Sequence, residues 1–215
     1  MKNFYIYFFI IISALLITTY SISKSQNTNQ SYSMQKNISS KIIRLHVIGN
    51  SNSAYDQAIK LKVKQAIVEE LKPLLQNATS RSHAYKIITS NLSHINEHAN
   101  NTLKKHAIHY SSNTTLSTVY FPIKKYGNLT LPEGNYQSVC VKLGSAKGKN
   151  WWCVLYPTLC FVDCSYGVLP EDSKIKLKKS LTSSEYNYIM NQTNTKIKYK
   201  SAIYNYLKDL ITIPK

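Results

Sequence analysis

The sequence predicts a single α+β domain: a mixed sheet with two N-terminal helices and a C-terminal helical segment. Two long segments in the first half of the chain repeat apolar residues every three or four positions, which is typical of amphipathic helices. Shorter segments around them alternate apolar and polar residues, which is typical of strands. The order β-α-α-β-β-β-α, without an internal repeat in 215 residues, indicates one domain with a core of its own.

The first strand and the first helix are predicted next to each other. The segment IIRLHVI (42–48) alternates branched apolar residues with an arginine and a histidine, which predicts a strand with its polar residues on one face. Ser53 and Asp56 then fit a capping box, in which the two side chains satisfy free amides at the start of a helix. We predict this helix over 54–75 and expect Pro73 to bend or end it.

The later elements follow from the same patterns. A second helix is predicted over 81–103, where apolar residues again lie along one face. Strands are predicted over 114–122 and 136–143, and two further short strands around the turn Tyr156–Thr158. A Lys- and Tyr-rich segment follows, with an amphipathic helix predicted over 198–210.

The amino terminus predicts export. Residues 1–23 combine a positive start, an apolar run and small polar residues, as a cleaved signal peptide does. An uncleaved anchor is the alternative, because Thr18–Tyr20 could extend the apolar run. Residues 24–40 are almost free of apolar side chains and predict a flexible polar linker. The main domain is then predicted over 41–167, followed by a basic helical segment over 168–215.

The charge balance argues against a nucleic-acid partner. Lysine and arginine number 27 against 10 acidic residues, a formal net charge of +17, and Arg44 and Arg81 are the only arginines. Lysine attracts any anion, whereas base recognition favours arginine. We therefore expect no nucleic acid as partner, but a peripheral attraction to an anionic membrane surface. With six glycines and no glycine-rich phosphate loop, no cofactor or small-molecule substrate is indicated.

Four cysteines in an exported chain favour disulfides. Pairing Cys153 with Cys160 would close a loop of about 8 residues, worth about 2.5 kcal/mol by loop entropy. Free buried thiols, a zinc site and a catalytic thiol are the alternatives, although C-x-x-C pairs and a neighbouring histidine are absent from this region of the sequence. Cys140, which alternation places on the opposite strand face from its apolar neighbours, could pair with Cys164.

The segment His94-Ile-Asn-Glu-His98 offers an enzymatic alternative. It matches the H-x-x-E-H zinc signature of inverted-motif metallopeptidases, so His94, Glu97 and His98 would serve a zinc-dependent hydrolase. Such an enzyme also needs a glutamate ligand on a downstream helix, and neither Glu171 nor Glu185 lies in an obvious one. A solvated helix face explains the same residues without any metal.

Trp151 and Trp152 are adjacent, so in a strand their side chains point to opposite faces. One can enter the core and shield a neighbouring disulfide, while the other faces outward. An exposed tryptophan beside a rigid loop is typical of a protein-binding hot spot. The alternative is that the fold covers both.

Two stretches together carry a family resemblance: RLHVIGNSNSAYDQAIKLKVKQAI (44–67) and LPEGNYQSVCVKLGSAKGKNWWCVLYPTLCFVD (131–163). They resemble stage II sporulation protein R of endospore-forming bacteria. The resemblance implies a non-enzymatic signalling domain secreted from the forespore into the space between forespore and mother-cell membranes. There it would activate a membrane-bound aspartic protease through its extracytoplasmic part, and the protease would process the sigma-E precursor.

The resemblance covers particular positions in each stretch. In the first these are Arg44, Asn50, Ser51, Ser53, Asp56 and Gln57, and in the second Pro132, Gly134, Tyr136, Asn150, Trp151, Trp152, Cys153, Pro157, Cys160 and Asp163. From this set we predict partner contacts by Trp151, Trp152, Pro157, Asn50, Asp56 and Gln57. The chain departs from the family pattern at Asn52, Cys140 and Cys164, which leaves one or two disulfides open.

Overall fold

A computed structural model describes residues 11–13, 15–19, 31–160 and 171–191. Residues 11–13 and 15–19 are helical. Most of the predicted signal peptide and the helix predicted over 198–210 lie outside the described residues. None of the helices within the described ranges combines the length and the apolar character that a membrane crossing requires.

Helices and strands alternate much as predicted, and the α+β fold class is confirmed. The helices are α1 (31–39), α2 (Ala54–Gln76), α3 (Arg81–Ser90), α4 (Leu92–Lys105), α5 (Glu171–Ser180) and α6 (Ser183–Asn191). The strands are β1 (Ile43–Ile48), β2 (Ser112–Phe121), β3 (Lys124–Tyr126), β4 (Leu129–Leu131), β5 (Gly134–Leu143) and β6 (Asn150–Tyr156).

Four of the strands form a mixed sheet in the order β2-β5-β1-β6. The inner strands β1 and β5 are parallel, while β6 runs antiparallel to β1 and β2 antiparallel to β5. Strands β3 and β4 form a separate two-stranded hairpin. Strand β6 therefore has only β1 as a neighbour within the described part of the sheet, and it carries both tryptophans at its start.

Each face of the sheet is covered by its own apolar layer. On the first face the branched residues of β1 and the alternate residues of β5 pack against α2, α3 and α4, and all of them are buried. On the second face Phe121, Tyr136 and Val154 pack with residues of α1, the β3–β4 hairpin, α5 and α6. Because the strands alternate, Arg44 and His46 point into this second layer.

The segment predicted as a polar linker is partly helical. Residues 31–39 form α1, and Ile38 is fully buried beside Phe121 and Leu129 in the second layer. Lys41, just after α1, forms an ion pair of 2.7 Å with the buried Glu185 of α6. The prediction of a flexible tether through residue 40 is therefore wrong for 31–40, because two apolar side chains in α1 (Ile38 and the partly buried Met34) reach the core.

The single helix predicted over 81–103 is divided at Asn91 into α3 and α4. The Asn91 side-chain amide donates to the Ile87 carbonyl at 2.8 Å, so it competes for a main-chain acceptor of the helix. Pro73, in contrast, does not end α2, which continues to Gln76. At its start only the serine half of the predicted capping box is confirmed, with Ser53 Oγ accepting from the Asp56 amide at 3.1 Å. The Ser53 amide donates to Ser51 Oγ at 3.1 Å instead of to the Asp56 carboxylate.

Candidate functional site

A covalent cross-link closes the end of β6. Cys153 and Cys160 form a disulfide with their Cα atoms 5.6 Å apart, as the cysteine spacing favoured. Between them the chain turns at Pro157, whose peptide bond with Tyr156 is cis. The amides of Leu159 and Cys160 both donate to the Val154 carbonyl, at 3.2 and 3.0 Å. Residues 157–160 are thus a turn, so the second of the two short strands predicted around Tyr156–Thr158 is not formed at 159–160; residues from 161 onward lie outside the described ranges.

Cys140 is a free, buried thiol. A Cys140–Cys164 bond, which the cysteine count allowed, is therefore not formed; Cys164 itself lies outside the described residues. The Cys140 sulfur lies 3.9 Å from His46 Nδ1, and burial raises the pKa of the thiol. It sits on the second face of the sheet, as alternation predicted.

Trp152 belongs to an aromatic cluster on the second face. The register of β1 and β6 places it beside His46, and the two rings stack at 3.8 Å with an interplanar angle of 16°. Phe121 meets the Trp152 ring edge-on at 4.6 Å. This side chain therefore lies on the face opposite Cys153, and the expectation that the covered tryptophan shields the disulfide is wrong for Trp152, because neighbours in a strand point to opposite faces.

His46 is held in this cluster by a polar neighbour. Its Nε2 lies 2.9 Å from Asn150 Oδ1, and only 5% of the residue is exposed. Burial lowers the pKa of the imidazole, which opposes a positive charge there. The stack with Trp152 is thus an uncharged aromatic contact at neutral pH.

Arg44 places a guanidinium inside the second layer. Its Nη2 donates to the Tyr126 hydroxyl at 2.6 Å and its Nε to the Cys153 carbonyl at 3.3 Å. The guanidinium carbon lies 4.0 Å above the centre of the Phe121 ring and 4.9 Å from that of Tyr136. Burial lowers its pKa, and none of the ion pairs within the described residues involves Arg44. A buried cation is therefore kept in place by hydroxyl, carbonyl and ring contacts.

Trp151 points to the other side of β6 and remains 37% exposed. Lys64 of α2 holds its ammonium 5.0 Å from the Trp151 ring centre, and burial lowers the pKa of that lysine. Beside the strand lies a groove of about 870 Å³, which we call the tryptophan groove. Its described lining residues are Lys64, Gln65, Val68, Glu69, Lys72, Lys124, Lys125, Tyr126, Gly127, Asn150, Trp151, Trp152, Cys153, Leu159 and Cys160.

Asp56, predicted as a partner contact, is buried and bonded within the domain. Its Oδ2 accepts from Ser51 Oγ at 2.5 Å and from Asn50 Nδ2 at 2.9 Å, and its Oδ1 accepts from the Tyr110 hydroxyl at 2.7 Å. Hydrogen bonds from Ser51, then Tyr110, lower the pKa of the carboxyl. This carboxylate thereby joins the start of α2 to the segment that leads into β2.

Asn50 and Gln57 tie the same loop to the segment before β6. Asn50 Oδ1 accepts from the Ser145 amide at 2.9 Å, and Gln57 Nε2 donates to the Ser51 carbonyl at 2.7 Å. Gln57 also accepts from Lys60 Nζ at 2.6 Å, and Lys60 reaches the Lys149 carbonyl at 3.1 Å. Of the six predicted contact residues, the structure brings Trp151 and Trp152 together at the tryptophan groove. Asn50, Asp56 and Gln57 form this separate network, and Pro157 is buried in the turn.

The H-x-x-E-H segment lies on the outer surface of α4. The side chains of His94 and Glu97 are 70% and 69% exposed, with His94 Nδ1 3.9 Å from Glu97, while His98 lies 3.7 Å from Glu70. No group of three or more His, Cys, Asp or Glu side chains that could hold a metal occurs among the described residues. The solvated helix face therefore accounts for this pattern.

Sequence reasoning missed the residues that hold the two tryptophans. Lys64 and Lys124, which approach the two indole rings, come from α2 and β3, far from β6 in the chain. Arg44 and His46 could have been identified from the sequence, because they are polar residues that alternate with branched apolar ones in β1. This strand lies at the centre of the sheet. A polar residue in such a strand has to find partners inside the fold.

A protein-family model described as stage II sporulation protein R matches residues 39–166, which contain β1 to β6, the disulfide and all of the described groove and network residues. The chain belongs to this family. Stage II sporulation protein R of Bacillus subtilis (strain 168) is 33% identical over 171 residues, which cover 80% of this chain and 75% of that protein. No solved structure matches the chain. Membership of the stage II sporulation protein R family agrees with a signalling role in sporulation.

Proposed function

We propose that this protein is a secreted intercellular signal of endospore formation. It leaves the forespore, enters the space between the forespore and mother-cell membranes, and binds the extracytoplasmic part of a membrane-embedded aspartic protease. The activated protease then processes the sigma-E precursor in the mother cell. The protein needs no cofactor, small-molecule substrate or nucleic acid for this role.

The observation that carries the proposal is the family match over 39–166. Its most unusual part, the NWWC segment, is folded as a strand whose end is closed by the Cys153–Cys160 disulfide. A surface that is ordered before binding avoids the entropy cost of ordering on contact, which favours recognition by another protein. Trp151 supplies the exposed aromatic side chain that such interfaces use as an anchor.

The net charge of +17 supports a secondary role for the membrane. Lysine-rich proteins are attracted to anionic lipid surfaces, and the attraction is screened by salt. Such an attraction would hold the signal near the membrane that carries the protease, so that the search is confined to two dimensions.

The test uses an endospore-forming host whose own family member is deleted and replaced by this chain. Processing of the sigma-E precursor is followed by immunoblot. We expect Trp151→Ala to reduce processing strongly, because the substitution removes the exposed part of an aromatic anchor. Tyr85→Ala is the matched control, since Tyr85 is also an aromatic residue with 37% exposure, on α3.

Secretion and folding are checked for each variant by the amount of protein recovered outside the forespore. Trp152→Ala is less informative here, since removing this partly buried ring, which packs on His46 and Phe121, should cost about 3 kcal/mol of folding free energy. Unchanged processing in a folded Trp151→Ala protein would remove the docking role of this strand. Normal processing in a strain that lacks the protein altogether would refute the signalling function.

A further inference from the structure

The tryptophan groove concentrates positive charge. One wall, from α2, contributes Lys64 and Lys72, and the other, from β3, contributes Lys124 and Lys125. Glu69 is the one acidic side chain among the described lining residues. Four lysines against one glutamate produce a positive potential, which a groove between low-dielectric walls strengthens.

Both tryptophans of the chain line this groove, and a lysine from one wall of the groove lies near each indole ring. Lys64 Nζ is 5.0 Å from the centre of the Trp151 ring, and Lys124 Nζ is 5.8 Å from that of Trp152. The ammonium groups and the apolar indole surface are therefore presented side by side. A ligand that carries both carboxylates and an apolar side chain can contact both.

A second source of positive charge lies behind the groove. Arg44 is fully buried, and its Nη1 has no hydrogen-bond partner. Its Nη2 is bonded to Tyr126, which itself lines the groove. Since Arg44 is absent from the ion pairs of the described residues, its charge is not neutralised there, and it adds to the potential at the lysines.

We propose that the tryptophan groove binds an acidic, extended segment of the partner protein, with carboxylates beside Lys64 and Lys124 and an apolar side chain against Trp151. This inference rests on the proposed function, because it names the chemistry of the partner at the same site. A polypeptide fits better than a membrane surface, since the lysines and indoles lie between a helix and a hairpin. The volume of about 870 Å³ is also within the range of ligand-binding clefts, roughly 300–1,000 Å³.

The experiment uses the full exported chain and its own fluorescence. Because both tryptophans line the groove, a ligand bound there changes their emission directly. The probe is a synthetic peptide that alternates glutamate with threonine around one central leucine. The comparison probes are the same peptide with glutamine in place of glutamate, and vesicles of phosphatidylglycerol.

Two charge-reversal variants test the site. Lys124→Glu/Lys125→Glu changes the groove, while Lys62→Glu/Lys86→Glu makes the same change in net charge at exposed positions on α2 and α3 outside it. We expect saturable binding of the glutamate peptide that salt weakens, about tenfold weaker in the groove variant and unchanged in the control variant. Circular dichroism confirms that both variants are folded.

Equal losses in the two variants would mean a non-specific charge effect and would overturn the inference. A response to phosphatidylglycerol vesicles with none to the glutamate peptide would overturn it in favour of a lipid surface. The sigma-E processing assay distinguishes a failure of the groove inference from a failure of the proposed signalling function. If processing requires the protein but remains normal with the Lys124→Glu/Lys125→Glu variant, the groove assignment fails and the signalling function stands.

Discussion

Substitution of Asp56 tests whether this residue contacts a partner or stabilises the domain from within. Replacing it by asparagine keeps the shape but changes one carboxylate oxygen into an amide donor. Tyr110 can still donate to the remaining oxygen, whereas Asn50 and Ser51 both donate to Oδ2 in the folded protein. The Ser51 hydroxyl can rotate and accept from the new amide. Asn50 is fixed by its bonds to Ser145 and is left facing another donor.

The expected loss of stability follows from these contacts. A hydrogen bond to a charged group contributes about 1.5–3 kcal/mol. Asp56→Asn removes one such bond outright and weakens the two that remain, because their acceptor is no longer charged. We expect the free energy of unfolding to fall by about 3 kcal/mol, while processing of the sigma-E precursor persists wherever the variant is folded.

Urea unfolding followed by tryptophan fluorescence measures this loss, with Glu97→Gln as the control for an exposed carboxylate on α4. Since the folded pKa of Asp56 is lowered, its stabilisation is complete above the unfolded pKa and is lost as pH falls through the folded pKa. The difference between the protein and its Asp56→Asn variant should therefore be full at pH 7 and shrink below about pH 4. A pH-independent difference, or none, would refute the reasoning.

Two further predictions concern cross-links between distant parts of the fold. Cys153→Ala/Cys160→Ala should lower the free energy of unfolding by about 2.5 kcal/mol, because the disulfide no longer restricts the entropy of the loop in the unfolded chain. Coincident urea transitions of the oxidised and the reduced protein would contradict this. Lys41→Met should cost about 2 kcal/mol because it leaves the buried Glu185 without its cation, and adding Glu185→Gln should restore part of the loss. A double variant no more stable than Lys41→Met in thermal unfolding would count against that ion pair.

The sequence predicted the elements whose pattern is local. The apolar period of α2 and the alternation in β1 and β5 depend on residues within one element, and the capping box spans four positions. The division at Asn91 and the helix 31–39 were not predicted. Each depends on a contact that the apolar periodicity of the sequence does not reveal. At Asn91 a side-chain amide donates to a backbone carbonyl, and in the helix 31–39 Ile38 packs against β2 and β4.

At the candidate site the sequence identified the disulfide and both tryptophans but not the environment around them. Asn50, Asp56 and Gln57 were predicted as contacts because their motif is distinctive. Their bonding partners include Tyr110 and Ser145, which are 54 and 95 residues away along the chain from Asp56 and Asn50. A distinctive motif is expected where side chains contact a partner, and equally where they form a hydrogen-bond network inside the domain. Only the fold distinguishes these two roles.

The second apolar layer also has a consequence for how the protein is made. Ile38 and Ile189 belong to one cluster, although one precedes the sheet and the other follows it. Helix α1 cannot bury its apolar side chains fully until the ribosome has added α6. This half of the molecule must therefore mature after translation has passed residue 189, whereas in the layer over α2 to α4 the described residues extend no further than the disulfide turn.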